Sequence, residues 1–475
     1  MSHDVIVIGA GVSGLAAAYD LSQSGHDVIV LERQVVVGGN AISERMGGFL
    51  MEYGPSTMNG LIPRANEISC ELGLTSSRVE LGDGVRKRYI RDAGDLHGIP
   101  IHAFGFLTSP YLSMAARISI MGELVRRRNE VDNEETVHEF VSRRFGREFA
   151  DKVMEPLVAG LFAGDSRRLS VAAVFPKLVE FEQHYGSVTR AVINARHGKQ
   201  PGKRLFSWRE GISTLPRALA ARLGSRIKTA ITVKRLVRLQ DGFEVGTSAG
   251  SVRAKSVVLA VQPHVAAMLL EDLDPEAAVA AGDIAAPPIS VVFLGMQRFQ
   301  VAHPLDSLGF LSVRDKANVV TGAQFCSTMF PDRAPPGHVS IASYVGGARN
   351  PELALVPEPE LLALVREDLN ELLGLKGEPV VQRSHHWSRG LPQYTVGHPE
   401  RVRVIESSNE RVNGLFMIGN YLHGVSVANC LATAEAAGAK IKAQLAAGTR
   451  RNFDDEIEAT RTYSSTGARA GRGQC

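Results

Sequence analysis

Gly419 to Leu431, G-N-Y-L-H-G-V-S-V-A-N-C-L, brings histidine, serine, asparagine and cysteine within thirteen residues. Those are residue types of nucleophilic or metal-assisted catalysis. The rest of the chain supplies no partner for them. It contains no G-x-S-x-G elbow and no H-E-x-x-H pair. Cys70, Cys326, Cys430 and Cys475 share no C-x-x-C spacing, which argues against zinc and against a disulfide framework. His385 and His386 are adjacent, so on a strand their rings point to opposite faces. The sequence therefore assigns no catalytic side chain and no metal site.

The spacing that carries chemistry lies at the other end. Val5-Ile6-Val7-Ile8 reads as a strand, an Ala- and Leu-rich helix follows, and Gly9-x-Gly11-x-x-Gly14 joins them. In that context Gly9 permits a tight turn and Gly11 lets backbone approach a pyrophosphate. Gly14 lets the helix lie close to the sheet, with its N-terminus facing the anion. A second strand, Asp27 to Leu31, ends in Glu32, whose carboxylate suits an adenosine ribose and repels a 2′-phosphate. FAD and NAD share this fingerprint.

The next residues narrow the choice. V-V-V-G-G-N-A-I-S, with Gly38 and Gly39, and G-F-L-M-E-Y-G-P-S, with Gly54, Pro55 and Ser56, resemble the extended motif of the flavin amine oxidase superfamily. The resemblance implies FAD. It implies that Gly38 and Gly39 contact the diphosphate, that Gly54-Pro55 passes near the flavin ring, and that Arg33, Asn40 and Ser56 belong to the cofactor set. Asn40 stands where members usually carry Arg or Lys, which either weakens a diphosphate contact or leaves it to Arg45. By the same resemblance Val233 is an adenine-side backbone contact and Trp387 packs against the cofactor. Gly419 and Asn420 close over its phosphate and ribitol. The helix from near Val427 then aims free N–H groups at the flavin, with Val425, Ser426 and Val427 acting mostly through backbone. In this frame Cys430 is a small buried residue in the first turn. His423 either edges into the substrate cleft or fills space.

The elements around these residues imply an α/β protein. A discontinuous Rossmann-like FAD-binding domain is expected over 1–85, 203–270 and 385–449, and an α+β substrate domain over 271–384. A helical, membrane-associating or substrate-access insertion is expected over 86–202, with Val137, Phe140 and Val141 on one helix face. The polar tail 450–475 is expected to be disordered. Ile99 to Met114 is apolar and nearly uncharged, and reads either as a buried loop or as a surface that rests on a membrane or lines an entry channel. Hydrophobic residues make up 44% and charged residues 22%, ordinary for a soluble globular chain, and the net charge of +3 demands no nucleic acid. Arg126-Arg127-Arg128 reads as a solvated helix face. No window approaches ~18 uninterrupted apolar residues, and the opening strand leaves no room for a secretory signal. The expected location is cytoplasmic, with peripheral contact to the cytoplasmic membrane left open.

Several segments together resemble the FAD-dependent protoporphyrinogen oxidase family. They are M-E-P-L-V-A-G-L-F-A-G-D-S-R-R-L-S from Met154, F-P-K-L-V-E-F-E from Phe175, P-L-D-S-L-G-F-L from Pro304, M-F-P-D-R-A-P from Met329 and L-P-Q-Y-T-V-G-H from Leu391. The resemblance spans about residues 1–447. It implies a six-electron dehydrogenation of a cyclic tetrapyrrole, with O2 as final acceptor and hydrogen peroxide as by-product. In such enzymes the cofactor carries most of the chemistry. It also implies a propionate-binding role for Arg88, and an apolar contact to the macrocycle at Leu308, where relatives often carry Phe, shared with Phe310. A homodimer and delivery of product to a chelatase stay open. So do a coproporphyrinogen III oxidase, a desaturase or amine oxidase acting on another metabolite, and a non-catalytic flavin-binding protein.

Overall fold

The computed structural model describes residues 2–85, 87–99, 109–128, 134–195 and 205–467. Two seven-stranded sheets organise them. The first runs β10 (Ile227–Lys228), β2 (Val28–Leu31), β1 (Ser2–Ile8), β13 (Gly250–Leu259), β12 (Gly242–Thr247) and β11 (Val233–Leu239), with β19 (Leu415–Met417) pairing β13. The strands β1, β2, β13 and β19 are mutually parallel, and their central residues read as unbroken apolar runs because helices cover both faces. One face packs under the helices Val12–Gln23, Thr214–Leu223 and the start of Val427–Gly467. The other packs under Pro263–Leu270, Pro275–Gly282 and His398–Glu406. Register places Ile8 opposite both Leu31 and Leu259, and Leu259 opposite Met417. The chain therefore leaves the sheet at Gly9, Glu32, Ala260 and Ile418 along a single edge, where open α/β sheets bind ligands.

The second sheet runs β18 (Val381–Trp387), β14 (Ile289–Gln297), β17 (His338–Gly346), β16 (Gly322–Phe325), β15 (Ser307–Ser312), β7 (Lys87–Asp92) and β8 (Asp95–Ile99). The helix Glu358–Leu373 buries Leu361, Val365, Leu369 and Leu373 against one face, where Phe310 and Phe325 also lie. Two small sheets join the halves: β3 (Ser43–Met46) with β4 (Phe49–Glu52), and β5 (Met58–Asn59), β9 (Leu205–Trp208) and β6 (Arg78–Glu80). Helices over 114–195 form the insertion, and Val137, Phe140 and Val141 are buried in its core as their spacing requires.

Several boundaries differ from the sequence reading. β7 and β8 belong to the second sheet, not to a helical unit starting at residue 86. Tyr89 and Arg91 on β7 pair with Asp306 and Asp368 on neighbouring elements, which ties the strand to the second sheet. Residues 385–387 also extend that sheet, and the nucleotide unit continues past 270 through the helices over 263–282. The basic run is not a helix face: Arg126 follows a short 3-10 turn and donates to the carbonyls of Arg143 and Arg144. The last helix continues to Gly467, where a disordered tail is expected from 450; no proline interrupts it. Residues 100–108 of the apolar segment, 203–204 and 468–475 lie outside the described residues. Among the described residues no helix is long and apolar enough to cross a membrane.

Candidate functional site

At the common edge of the first sheet the three fingerprint glycines meet three different demands. Gly9 has φ +104°, and a Cβ there would sit 2.4 Å from the Ala260 carbonyl oxygen. A Cβ on Gly14 would sit 2.0 Å from the Gly9 carbonyl oxygen, so only glycine lets the helix press onto the turn. Gly11 faces open space, and the helix that follows it has no side-chain cap. Its first-turn N–H groups are thereby left for an anion. Gly38 donates its N–H to the Ala10 carbonyl at 2.8 Å, and a Cβ on Gly39 would lie 3.2 Å from Gly11 Cα. Two backbone segments thus form a cradle without side chains. Glu32 ends β2 with its carboxylate fixed by the N–H groups of Ala10 and Gln34, each at 2.7 Å. Arg33 is exposed beside it. Burial first, then the positive charges of Arg389 and Arg33, hold His264 below the ordinary imidazole range.

The cradle opens into a cavity of about 1100 Å³. Of the cofactor residues expected from sequence, Gly11, Gly38, Gly39, Asn40, Gly54, Pro55, Ser56, Trp387, Gly419, Asn420, Val425, Ser426 and Val427 line it. Gly9, Gly14, Glu32, Arg33 and Val233 stand outside that wall. The Glu52–Ser56 segment is pinned from three sides. Glu52 accepts from Ser43 Oγ and the Ile212 N–H, the Tyr53 carbonyl accepts from Trp387 Nε1 at 2.6 Å, and Ser56 Oγ donates to Gln324 at 2.8 Å. Arg45 does not substitute for the cation missing at Asn40. It lies on the hairpin's outer side and forks onto Glu210 at 3.2 Å. Ser426 acts through its side chain as well as its backbone, accepting the Asn429 N–H at 3.1 Å to cap the last helix.

Beyond the cradle the wall is apolar. The second sheet contributes Ile289, Val291, Leu311, Ala323 and Tyr344, and the insertion contributes Ala159 to Ala163 and Ala172 to Val174. Strand alternation corrects the expected substrate contacts. Leu311 faces the cavity, while Phe310 points to the opposite core with Tyr89 and Phe325. Leu308 packs with Val79, Met329 and Phe330, also off the wall. Arg88 shares the strand face of Ile90 but is not among the described wall residues; burial lowers its guanidinium, and its side chain makes no hydrogen bond among the described residues. Arg403 is the only Arg or Lys, and Glu406 the only carboxylate, among the described wall residues. His423 and Glu406 bond across the mouth at 2.8 Å. Cys430 is buried, and burial pushes its thiol up, which makes it a packing residue rather than a thiolate. No group of three His, Cys, Asp or Glu residues could hold a metal among the described residues. Tyr394, His398, Gln324, Tyr344 and Leu311 are wall residues to which the sequence pointed no role.

Residues 12–441 match the family described as flavin containing amine oxidoreductase. The chain belongs to that family. Protoporphyrinogen oxidase 1, chloroplastic, of Arabidopsis thaliana is 31% identical over 91% of this chain and 86% of the relative. A coproporphyrinogen III oxidase of Staphylococcus aureus is 24% identical over 94% of this chain and 100% of the relative. Among solved structures, a protein of Exiguobacterium sp. 255-15 provisionally named protoporphyrinogen oxidase superposes with TM-score 0.81 at 23% identity, covering 94% of this chain and 99% of its own. Cyclohexylamine oxidase from Brevibacterium oxydans IH-35A gives TM-score 0.69 at 17% identity, covering 94% and 100%. The cofactor of this flavin oxidase is FAD. The open space at Gly11, the uncapped helix and the fixed Glu32 carboxylate suit its diphosphate and ribose.

Proposed function

We propose that this flavin oxidase converts protoporphyrinogen IX to protoporphyrin IX with O2 as electron acceptor. The apolar cavity carries the reading, because its described wall offers a single cation, Arg403, beside a large greasy surface. A macrocycle with two propionates fits such a wall better than one with four. The plant relatives at 28–31% identity, named protoporphyrinogen oxidases, support the same choice over the coproporphyrinogen III oxidases at 24%.

When bound, FAD takes electrons from the substrate in pairs and returns them to O2 as hydrogen peroxide, so three rounds balance the six-electron oxidation. The protein's part is placement. Leu311, Ile289 and Val291 offer an apolar wall for the ring, and the end of the helix Glu155–Phe162, from Ala159 to Ala163, covers the cleft and excludes water. Arg403 is exposed and forked onto Glu400 at 2.5 and 2.8 Å, so it takes a propionate by exchanging that partner at the mouth, beside the His423–Glu406 pair, where the propionate edge stays hydrated. Arg88, half-buried on β7, is a second candidate for a propionate. The only wall carboxylate among the described residues is at the mouth, so no Asp or Glu is assigned to remove ring protons. The N-terminus of the last helix favours negative charge on the reduced flavin. Met114, Ile118, Met121 and Val125 stand exposed at helical spacing on the insertion, which supports a peripheral lipid contact.

The test is oxygen uptake with growth of porphyrin fluorescence when purified holoprotein meets protoporphyrinogen IX. Faster turnover of coproporphyrinogen III would transfer the assignment to that substrate. Oxidation of neither, with FAD bound, would remove the porphyrinogen reading.

A further inference from the structure

Between β18 and the helix His398–Glu406, Tyr394 is held by two parts of the molecule at once. Its carbonyl accepts the N–H of Ser170, at 2.8 Å, and Thr395 bridges to Leu169; both partners belong to the insertion. Its side chain crosses to the cofactor-closing loop. The phenol donates to the Asn420 carbonyl and accepts the Gly424 N–H, at 2.9 Å, closing the turn from 420 to 424 from inside. The ring is 1% exposed and stacks on His398 with centroids 4.0 Å apart and planes 11° apart. Burial pushes His398 down to about 4, so the stack is of two neutral rings. Phe162, on the insertion's wall helix, lies 6.3 Å away on a further side.

The loop so closed is not an ordinary connection. Asn420, Gly424, Val425 and Ser426 line the cavity and lead directly into the helix whose first N–H groups face it. Gly424 has φ +112°, and a Cβ there would meet the Asn429 side chain at 2.7 Å, so the turn tolerates little variation. The only side-chain hydrogen bonds from outside the loop to its 420 and 424 backbone groups, among the described residues, come from Tyr394. We infer that Tyr394 is a positioning residue for the flavin. It holds the cofactor-closing loop, and with it the N-terminus of the last helix, in register with the insertion that covers the substrate. The inference rests on the family's FAD and not on the porphyrinogen reading.

Tyr394→Phe keeps the stacked ring and deletes the one oxygen that serves two backbone groups. Released and rebound FAD is expected to bind about tenfold more weakly, equivalent to about 1.4 kcal/mol. The visible flavin spectrum is expected to shift, and kcat to fall several-fold with KM within twofold. His398→Ala keeps the phenol but removes its stacking partner, and is expected to move FAD affinity and spectrum the same way by less. It carries the test alone if Tyr394→Phe fails to fold. Gln393→Met, which removes a bond to the Phe162 carbonyl from the same segment, controls for general loosening. FAD affinity and flavin spectrum unchanged in Tyr394→Phe, or shifted equally in Gln393→Met, would overturn the inference. FAD affinity and spectrum are read without substrate, so a failure of the porphyrinogen assay leaves this result standing.

Discussion

Glu52 is 5% exposed, and burial outweighs its bonds to Ser43 and Ile212 and the nearby Arg333, raising its carboxyl from 4.5 to about 7. Folded protein therefore keeps a proton that the unfolded chain releases near its ordinary pKa. Between pH 4.5 and 7 the folded state binds more protons, so this group's contribution is fully present below 4.5 and is lost as pH rises towards 7. At roughly 1.4 kcal/mol per pH unit, the loss is about 3 kcal/mol. Glu52→Gln has the same shape and no proton to lose. Guanidinium unfolding of wild type and variant, measured at about pH 5 and about pH 8, isolates the term, because every other titrating group is common to both. The stability difference between them is expected to move by about 3 kcal/mol in favour of the variant on going to the higher pH. Parallel pH profiles would refute the reasoning and mean that Glu52 titrates alike in folded and unfolded chains.

Other outcomes follow from single contacts. Gly14→Ala sets a Cβ against the Gly9 carbonyl, with no flexible side chain to yield; purified variant is expected to lose bound FAD by absorbance while keeping its circular dichroism. Glu123 and Arg144 are both 0% exposed and bonded to each other, so Glu123→Ala takes the nearer carboxylate from a buried guanidinium, which keeps Glu182 and its backbone carbonyl partners, and also frees the hydroxyl and N–H groups of Ser187, Val188 and Thr189. Calorimetry is expected to show the variant destabilised by about 3–5 kcal/mol. Burial opposes ionisation of Glu123, but bonds from Ser187, Thr189 and Arg144 outweigh it and hold the carboxyl below its usual range. Arg403→Ala is expected to raise KM for a free-acid porphyrinogen about twofold to fivefold and to leave the dimethyl ester unaffected, as suits an exposed charge.

The cofactor half of the site was legible in the sequence because its requirements are local. Gly14 answers the Gly9 carbonyl within the same turn, although Gly9 itself also answers the distant Ala260, and Gly38-Gly39 answers the first turn across one short bridge. The substrate half was not, because it depends on strand phase and on distant partners. Phe310 and Leu311 are neighbours in sequence, yet the pleat sends one to the core and the other to the cavity. Arg45 is well placed by position but is taken by Glu210, far along the chain. Tyr394 looked like part of a family signature, and its partners Asn420 and Gly424 become visible only when the loop folds over it. That β7 belongs to the second sheet rather than to the insertion was not legible, because its partners Asp306 and Asp368 come from elsewhere.

The most direct measurement is a side-by-side turnover of protoporphyrinogen IX and coproporphyrinogen III by the FAD-loaded protein, following oxygen consumption and porphyrin fluorescence together. An apolar wall with Arg403 as its only described cation predicts the higher kcat/KM for protoporphyrinogen IX, with three O2 consumed per porphyrin formed. A higher kcat/KM for coproporphyrinogen III, or fluorescence growing without oxygen uptake, would contradict it.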